Sequence, residues 1–391
     1  MDETRDNCDL AIAEDFRRQI QERMSARVPM DRGETIKWMD THRKLLEGVF
    51  HKVAGKRKYD PRMFEEHRRK MNEARLISPY DEPGSRSIVE ALCQEVEAAC
   101  SELGIPLRSG VAFGSSQMAD IDAACVSVPF TDASVVTLSS GFITFCARVS
   151  KLVSLSLVHE SENELVKVYF ETDRVLEKIR TSISLQTYWT ELISAFAVGP
   201  RTLKLKYRGI AYPASFTRAQ ILVAMEIFAT AHEYAHHIAQ DGKRKCLSAM
   251  VNSSDMAEEH VADLFALNLS RHIGMKSKPH NLFKVSGAGA VVLLKCLECV
   301  RKARQVLITG NDVVPPSRSH PQTSYRIASF DLLDQSLPDT QKRVFRGTRD
   351  QFVAIIDHIW AMLKPSFEEM YKSGRRPEGT LSDTSISKRL M

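Results

Sequence analysis

The chain has 391 residues, of which 43% are hydrophobic and 26% charged. That is enough apolar material for a substantial core, with the charge content of an ordinary soluble protein. The net charge of +5 comes without a long run of Lys and Arg, so there is no clear nucleic-acid signal.

The opening residues, MDETRDNCDL, are acidic and polar and do not read as a signal peptide. The longest nearly apolar stretch, residues 285–294, is too short for a bilayer, which needs about 20 apolar residues. No membrane span is expected. The eight cysteines show no paired spacing, and reduced thiols in a cytoplasmic setting are the simplest reading.

The first 76 residues predict charged helices, seen in AEDFRRQIQERMSARV, TIKWMDTHRKLLEGVF and MFEEHRRKMNEARL. SPYDEPGSRS, residues 78–87, has the Pro, Gly and Ser content of a linker. The front section reads as a helical extension packed on the main domain; a partner-recognition module is the sharper alternative. Residues 88–104 form an amphipathic helix ending at Gly104. Strand-like pieces follow at 111–114, 123–130 and 133–140, then a helical run opened by Gly141, then a further strand at 165–170. Trp38, Trp189 and Trp360 are expected to pack inside. Towards the C-terminus, QFVAIIDHIWAMLKPSFEEMYKSG is helical up to Pro365 or beyond, and a polar tail follows. Strands followed by helices that carry the motif below predict an α+β, mainly α-helical fold. The expected divisions are a charged helical extension over 1–86, the main domain over 87–335, a C-terminal helical segment over 336–374 and a disordered tail over 375–391.

Residues 231–242, AHEYAHHIAQDG, contain H-E-x-x-H. The helix around it is expected to start at a capping box formed by Thr217 and Gln220 and to stop at Asp241-Gly242. On a 3.6-residue helix, Ile221, Met225, Phe228, His232 and His236 share one stripe. The two histidines are one turn apart, about 5.4 Å, so both imidazoles can reach a single metal ion. Glu233 lies about 100° round, beside the metal rather than on it. Zinc brings the pKa of water toward about 7, and a carboxylate in that place takes the proton during attack. His237 points elsewhere.

A zinc site open for catalysis needs a third protein ligand. SSDMAEEHVADLFALNLSRH, residues 253–272, starts with a capping-box pattern at Asp255 and Glu258. Glu259 and Asp263 share a helix face. Glu259 is the preferred ligand, with Glu258 and His260 as rivals. Asp263 lies in the apolar run V-A-D-L-F-A-L, where a charge needs a partner. It is placed to hold the far nitrogen of a ligand histidine and so fix its tautomer. Cys296 and Cys299, in K-C-L-E-C-V, are half of a structural zinc site at most and read as buried small hydrophobes.

H-E-x-x-H followed by E-H-V-A-D resembles the gluzincin metallopeptidases. DASVVTLSSGF, residues 132–142, resembles the strand and helix that precede the zinc helix in the CAAX prenyl protease and HtpX-like branch. SHPQTSYRI, residues 319–327, is similar to that branch's Ser/Thr-His-Pro…Arg-Ile element. The resemblance spans roughly 105–330. It implies a zincin-like domain and one zinc per chain, held by His232, His236 and Glu259, with Glu233 as base and Asp263 behind the ligands. It also implies His320 as a donor to the oxyanion and Arg326 as an anchor near the site. Tyr325 stays open as a further phenol donor, whereas Tyr234 points away. Members of that branch are embedded in membrane, and this chain is not expected to be. The expectation is a soluble endopeptidase acting on an intracellular protein or peptide, its substrate added as a β-strand along residues 134–140. The alternatives are a target-specific, phage-exclusion-like protease effector or regulator, and a non-enzymatic helical interaction protein.

Overall fold

The computed structural model describes residues 3–24, 32–44, 46–48, 60–73, 78, 80–81, 83–107, 109–116, 118, 120–162, 165–199, 210–239, 255–316 and 320–378. Helices dominate, with two small sheets among them. The fold is therefore α+β and mainly α-helical.

The front of the chain holds α1 (Glu3–Met24), α2 (Arg32–Thr41), α3 (Arg62–Glu73) and α4 (Pro83–Glu102). α4 begins at Pro83, a residue suited to an unsatisfied first helical turn. The stretch read as a linker therefore contains the start of a helix, and the boundary expected at 86/87 falls inside α4. Its other end matches expectation: Gly104 takes φ +66, which a helix stop favours. Trp189 and Trp360 are buried as expected. Trp38 is 51% exposed and stacks on His42 at the surface instead.

β1 (Val111–Ser116), β2 (Ala123–Ser127) and β3 (Ser134–Ser139) form a sheet in the order β1-β3-β2. β3 is parallel to β1 and antiparallel to β2, with Val136 opposite both Phe113 and Cys125. Its SVVTLS sequence is buried throughout. On one face of the sheet, Val136 and Leu138 join the main core. On the other, Ala112, Ala124 and Val135 pack with Ala13 and Ile20 of α1.

α5 (Ser140–Ser156) follows β3 directly, and the Ser139 hydroxyl caps it by accepting the Phe142 N–H. β4 (Val158–Glu162) and β5 (Leu165–Tyr169) then form a hairpin. Only β5 was expected, because VHESE offers little apolar alternation. α6 (Thr172–Thr181) and α7 (Ile183–Val198) lead to α8 (Ala214–Ala239), the central helix of 26 residues.

α8 starts three residues before the expected capping box. Its first helical N–H groups are taken up by the Ala211 carbonyl, from Ser215, and by the Pro213 carbonyl, from Phe216 and Thr217. Thr217 lies inside the helix, where its hydroxyl meets His159 Nε2 at 3.1 Å. The stop expected at Asp241-Gly242 lies outside the described residues.

α9 (Asp255–Lys276) packs along α8, with α10 (Leu282–Ser286) and α11 (Ala288–Thr309) behind. Gly287, at φ +81, makes the turn between α10 and α11. α12 (Thr323–Asp334) and α13 (Asp339–Lys372) complete the chain of helices, α13 running straight through Pro365. Of the expected tail, Glu378 gives its backbone N–H to Val198 O at the end of α7, and everything from 379 lies outside the described residues. No described helix is long and apolar enough to cross a membrane.

Candidate metal centre

α8 turns its inward stripe toward α9 because Ile221, Met225 and Phe228 are core residues of the same face. His232 and His236 continue that stripe, and Phe228 packs on His232 with ring centroids 6.4 Å apart. α9 brings Glu259 to meet them. The His232 and His236 Nε2 atoms are 3.2 Å apart. His232 Nε2 lies 3.4 Å from Glu259 Oε2, and His236 Nε2 lies 3.4 Å from Glu259 Oε1. Among the described residues these three form a group that could hold a metal ion.

Two observations test whether a cation fits. Glu259 Oε2 is buried and has no hydrogen-bond partner, a costly state for a carboxylate oxygen. The imidazoles give the second. Burial opposes their charge, but Asp263 and Glu259 outweigh it at His232, and Glu258 and Glu259 at His236. The pKa values rise to about 9 and about 10. At 3.2 Å the two Nε2 atoms have no room for a proton on each, because an N–H needs an acceptor opposite it. A single cation between them satisfies both lone pairs and the orphaned oxygen.

Carboxylates from α9 also reach the far sides of both rings. His232 Nδ1 lies 3.0 Å from Asp263 Oδ1, in a contact bent away from hydrogen-bond alignment. Asp263 is fully buried, and Arg326 of α12 grips it with two bonds, Nε–H to Oδ2 at 2.7 Å and Nη2–H to Oδ1 at 2.6 Å. This pairing explains an aspartate inside an apolar run. Burial alone would raise the Asp263 carboxyl; Arg326 and His232 bring it below the usual range. His236 Nδ1 is 3.0 Å from Glu258 Oε1. Glu258, a rival ligand by sequence, thus serves the outer nitrogen of a ring, and His260 is not part of the group.

Glu233 is buried beside the three donors. Burial raises its pKa, His232 and His236 pull it back, and the Cys125 backbone N–H donates to it; the net shift is upward. That donor is in β2. In the β2–β3 ladder, Val128 N–H bonds Ala133 O and Ser139 N–H bonds Asp122 O. Even-numbered β2 residues therefore face β3, and Ala123, Cys125 and Ser127 turn their backbone groups the other way. Among the described strands β2 is an edge, whereas β3 is paired on both sides. The expectation that 134–140 takes up an added strand is thus corrected: β3 has no open side, and β2 is the strand beside Glu233.

His320 Nε2 is 3.7 Å from Glu259 Oε2, with its side chain 40% exposed. Burial is the main cause lowering its pKa, against the pull of Glu259. Tyr325 is largely exposed. Tyr234 is buried away from the group, its phenol donating to Glu97 at 2.6 Å. His237 is buried with Nδ1 2.8 Å from Ser134 Oγ, apart from the ligand stripe. Cys296 and Cys299 are buried free thiols within α11. Burial raises both pKa values, so neither has the thiolate character that metal binding or redox chemistry needs.

Two contacts were missed in the sequence. Cys125 acts through its backbone, which no residue type advertises. Glu258 reads in the sequence as a capping-box residue and a rival ligand, and its link to His236 follows only once α9 is placed across α8. No family model, curated protein or solved structure gives a significant match to this chain.

Proposed function

We propose that the chain is a zinc-dependent metallopeptidase with a zincin-like domain, cleaving peptide bonds in a protein or peptide. The observation that carries this reading is the cluster of His232, His236 and Glu259 with a second buried carboxylate, Glu233, beside it. The two Nε2 atoms stand 3.2 Å apart, and each is 3.4 Å from a different oxygen of Glu259, Oε2 for His232 and Oε1 for His236. Ligands about 2.0 Å from a tetrahedral zinc stand roughly 3.3 Å from one another. Two imidazoles, one carboxylate and an open fourth position are a catalytic zinc set. The buried free thiols fit a reducing, cytoplasmic setting.

When bound, zinc supplies Lewis acidity to the substrate carbonyl and to the attacking water. Glu233 takes the water's proton and carries it to the leaving amine. Its raised pKa suits both halves of that transfer, since it must accept and then release. The Cys125 N–H holds the carboxylate still. His320, neutral and partly exposed, donates to the oxyanion. Arg326 and Asp263 keep His232 in place. An extended substrate runs along the β2 edge, its carbonyl next to Glu233.

The test is zinc content by elemental mass spectrometry, with cleavage of a peptide library read alongside. Wild type should carry about one zinc per chain, and Glu259→Ala should lose most of it. Glu233→Gln should keep zinc and lose at least about 10²-fold in activity, the lower range for a general base. Full activity in a zinc-loaded Glu233→Gln would falsify the role of the base. A wild type that takes up no zinc would remove the reading altogether.

A further inference from the structure

We infer that Glu258 is a positioning residue for the metal centre, holding His236 so that its Nε2 lone pair faces the metal. The inference rests on the reading of His232, His236 and Glu259 as ligands and adds a residue that this reading does not use.

The geometry is direct. Glu258 Oε1 is 3.0 Å from His236 Nδ1, in hydrogen-bond alignment. A carboxylate accepts only, so Nδ1 carries a proton, and in the neutral ring that ligates a metal Nε2 is the bare nitrogen. That bare nitrogen is the one that lies 3.2 Å from His232 and 3.4 Å from Glu259. Glu258 therefore selects the tautomer that can ligate, and fixes the ring plane as well.

The comparison with His232 shows why this contact matters. Asp263 lies 3.0 Å from His232 Nδ1 and is itself tied by two bonds to the buried Arg326. His232 is thus braced by three elements: α8, α9 and α12. His236 has Glu258 on its outer side, from the first turn of α9. The Glu258 side chain is 36% exposed and that of His236 15%. This outer half of the centre is nearer solvent and depends on one hydrogen bond for ring orientation. Adjacent residues divide the labour: Glu259 faces the metal, and Glu258, about 100° round the helix, reaches past it to the far side of His236.

The experiment measures zinc affinity by competition with a chromophoric chelator, for wild type, Glu258→Ala and Glu258→Gln. Apo-protein melting temperatures are recorded for each. Glu258→Ala should bind zinc about 10- to 100-fold more weakly, the usual effect of removing such a partner, with its apo melting temperature near that of wild type. Glu258→Gln should recover most of the affinity, because its amide oxygen still accepts the Nδ1 proton. Cobalt-loaded samples should show a changed ligand-field spectrum in Glu258→Ala and a near-native one in Glu258→Gln. Equal zinc affinity in wild type and Glu258→Ala would overturn the role of Glu258 and leave the ligand set intact. Weakening in both variants alike would mean that charge, not orientation, is what Glu258 supplies, and would also overturn it. A wild type without zinc affinity would remove the ligand set, and the role of Glu258 with it.

Discussion

Glu226 and Glu233 lie two turns apart on α8, both buried, and their surroundings separate them. Glu233 receives a backbone N–H and faces two imidazoles. Glu226 has only the more distant pull of Arg218 against its burial, which pushes its pKa up to about 8. The raised value means that the folded state binds this proton more tightly than the unfolded chain does. Its stabilising effect is complete below about pH 4.5 and is lost as pH rises through 8. Glu226→Gln is neutral at every pH and escapes that loss. Urea denaturation should show the variant gaining a few kcal/mol on wild type between pH 4.5 and 9. A pH-independent gap between the two would mean that Glu226 is solvated and ionises normally. The contrast also shows what a sequence can reveal at this scale. H-E-x-x-H and the Glu259–Asp263 spacing were legible because helical periodicity turns spacing into direction. The burial of Glu226 was not, because the elements that cover it come from distant parts of the chain.

At the scale of elements, the proposed metal centre depends on how α8 is seated. α11 crosses it at Gly289, where an added Cβ would collide with the Ala224 side chain and come within 3.0 Å of its carbonyl carbon. The two helices touch backbone to backbone there, two turns before His232. Gly289→Ala must push α8 away or bend α11, and overpacking of this kind costs about 1–3 kcal/mol. The variant should melt lower, and its zinc affinity should fall with it, since α8 cannot shift without moving His232 and His236 against α9. A lower melting temperature with unchanged affinity would show that the shift is absorbed within α11. Helices such as α4, α8 and α13 could be read in the sequence because each has an apolar stripe long enough to reveal its period. β4 could not, being five residues with little alternation. The start of α8 is hidden because Thr217 mimics a cap, while the Ala211 and Pro213 carbonyls supply the actual first acceptors. Which strand was the edge was equally hidden: β2 and β3 are both rich in small and β-branched residues, and sheet order is a property of topology alone.

For the whole molecule, the question is whether the front of the chain is an appendage or a wall. α1 covers the face of the sheet opposite α8, and its Arg17 is fully buried against Asp81. Asp81 accepts from Arg17 Nη1 at 2.7 Å, from Gln21 Nε2 at 2.9 Å and from the Ser78 N–H at 3.2 Å. Gly114 of β1 leaves the space that the Arg17 guanidinium occupies. α1 thus completes a core containing Ala124 of β2, the strand that gives Glu233 its backbone donor. Arg17→Met keeps the length and apolar stem of the side chain but strands a buried carboxylate. Removing one partner of such a pair costs about 3–5 kcal/mol. Arg18→Ala, on the exposed side of the same helix where Arg18 pairs with Asp15, should cost at most about 1 kcal/mol. The double variant Arg17→Met/Asp81→Asn should recover part of the loss, since no charge is then left buried alone. Chemical denaturation followed by the fluorescence of the buried Trp189 reads all three. If Arg17→Met were as stable as Arg18→Ala, α1 would be a detachable extension after all, and its truncation would leave the sheet, β2 and the proposed metal centre standing.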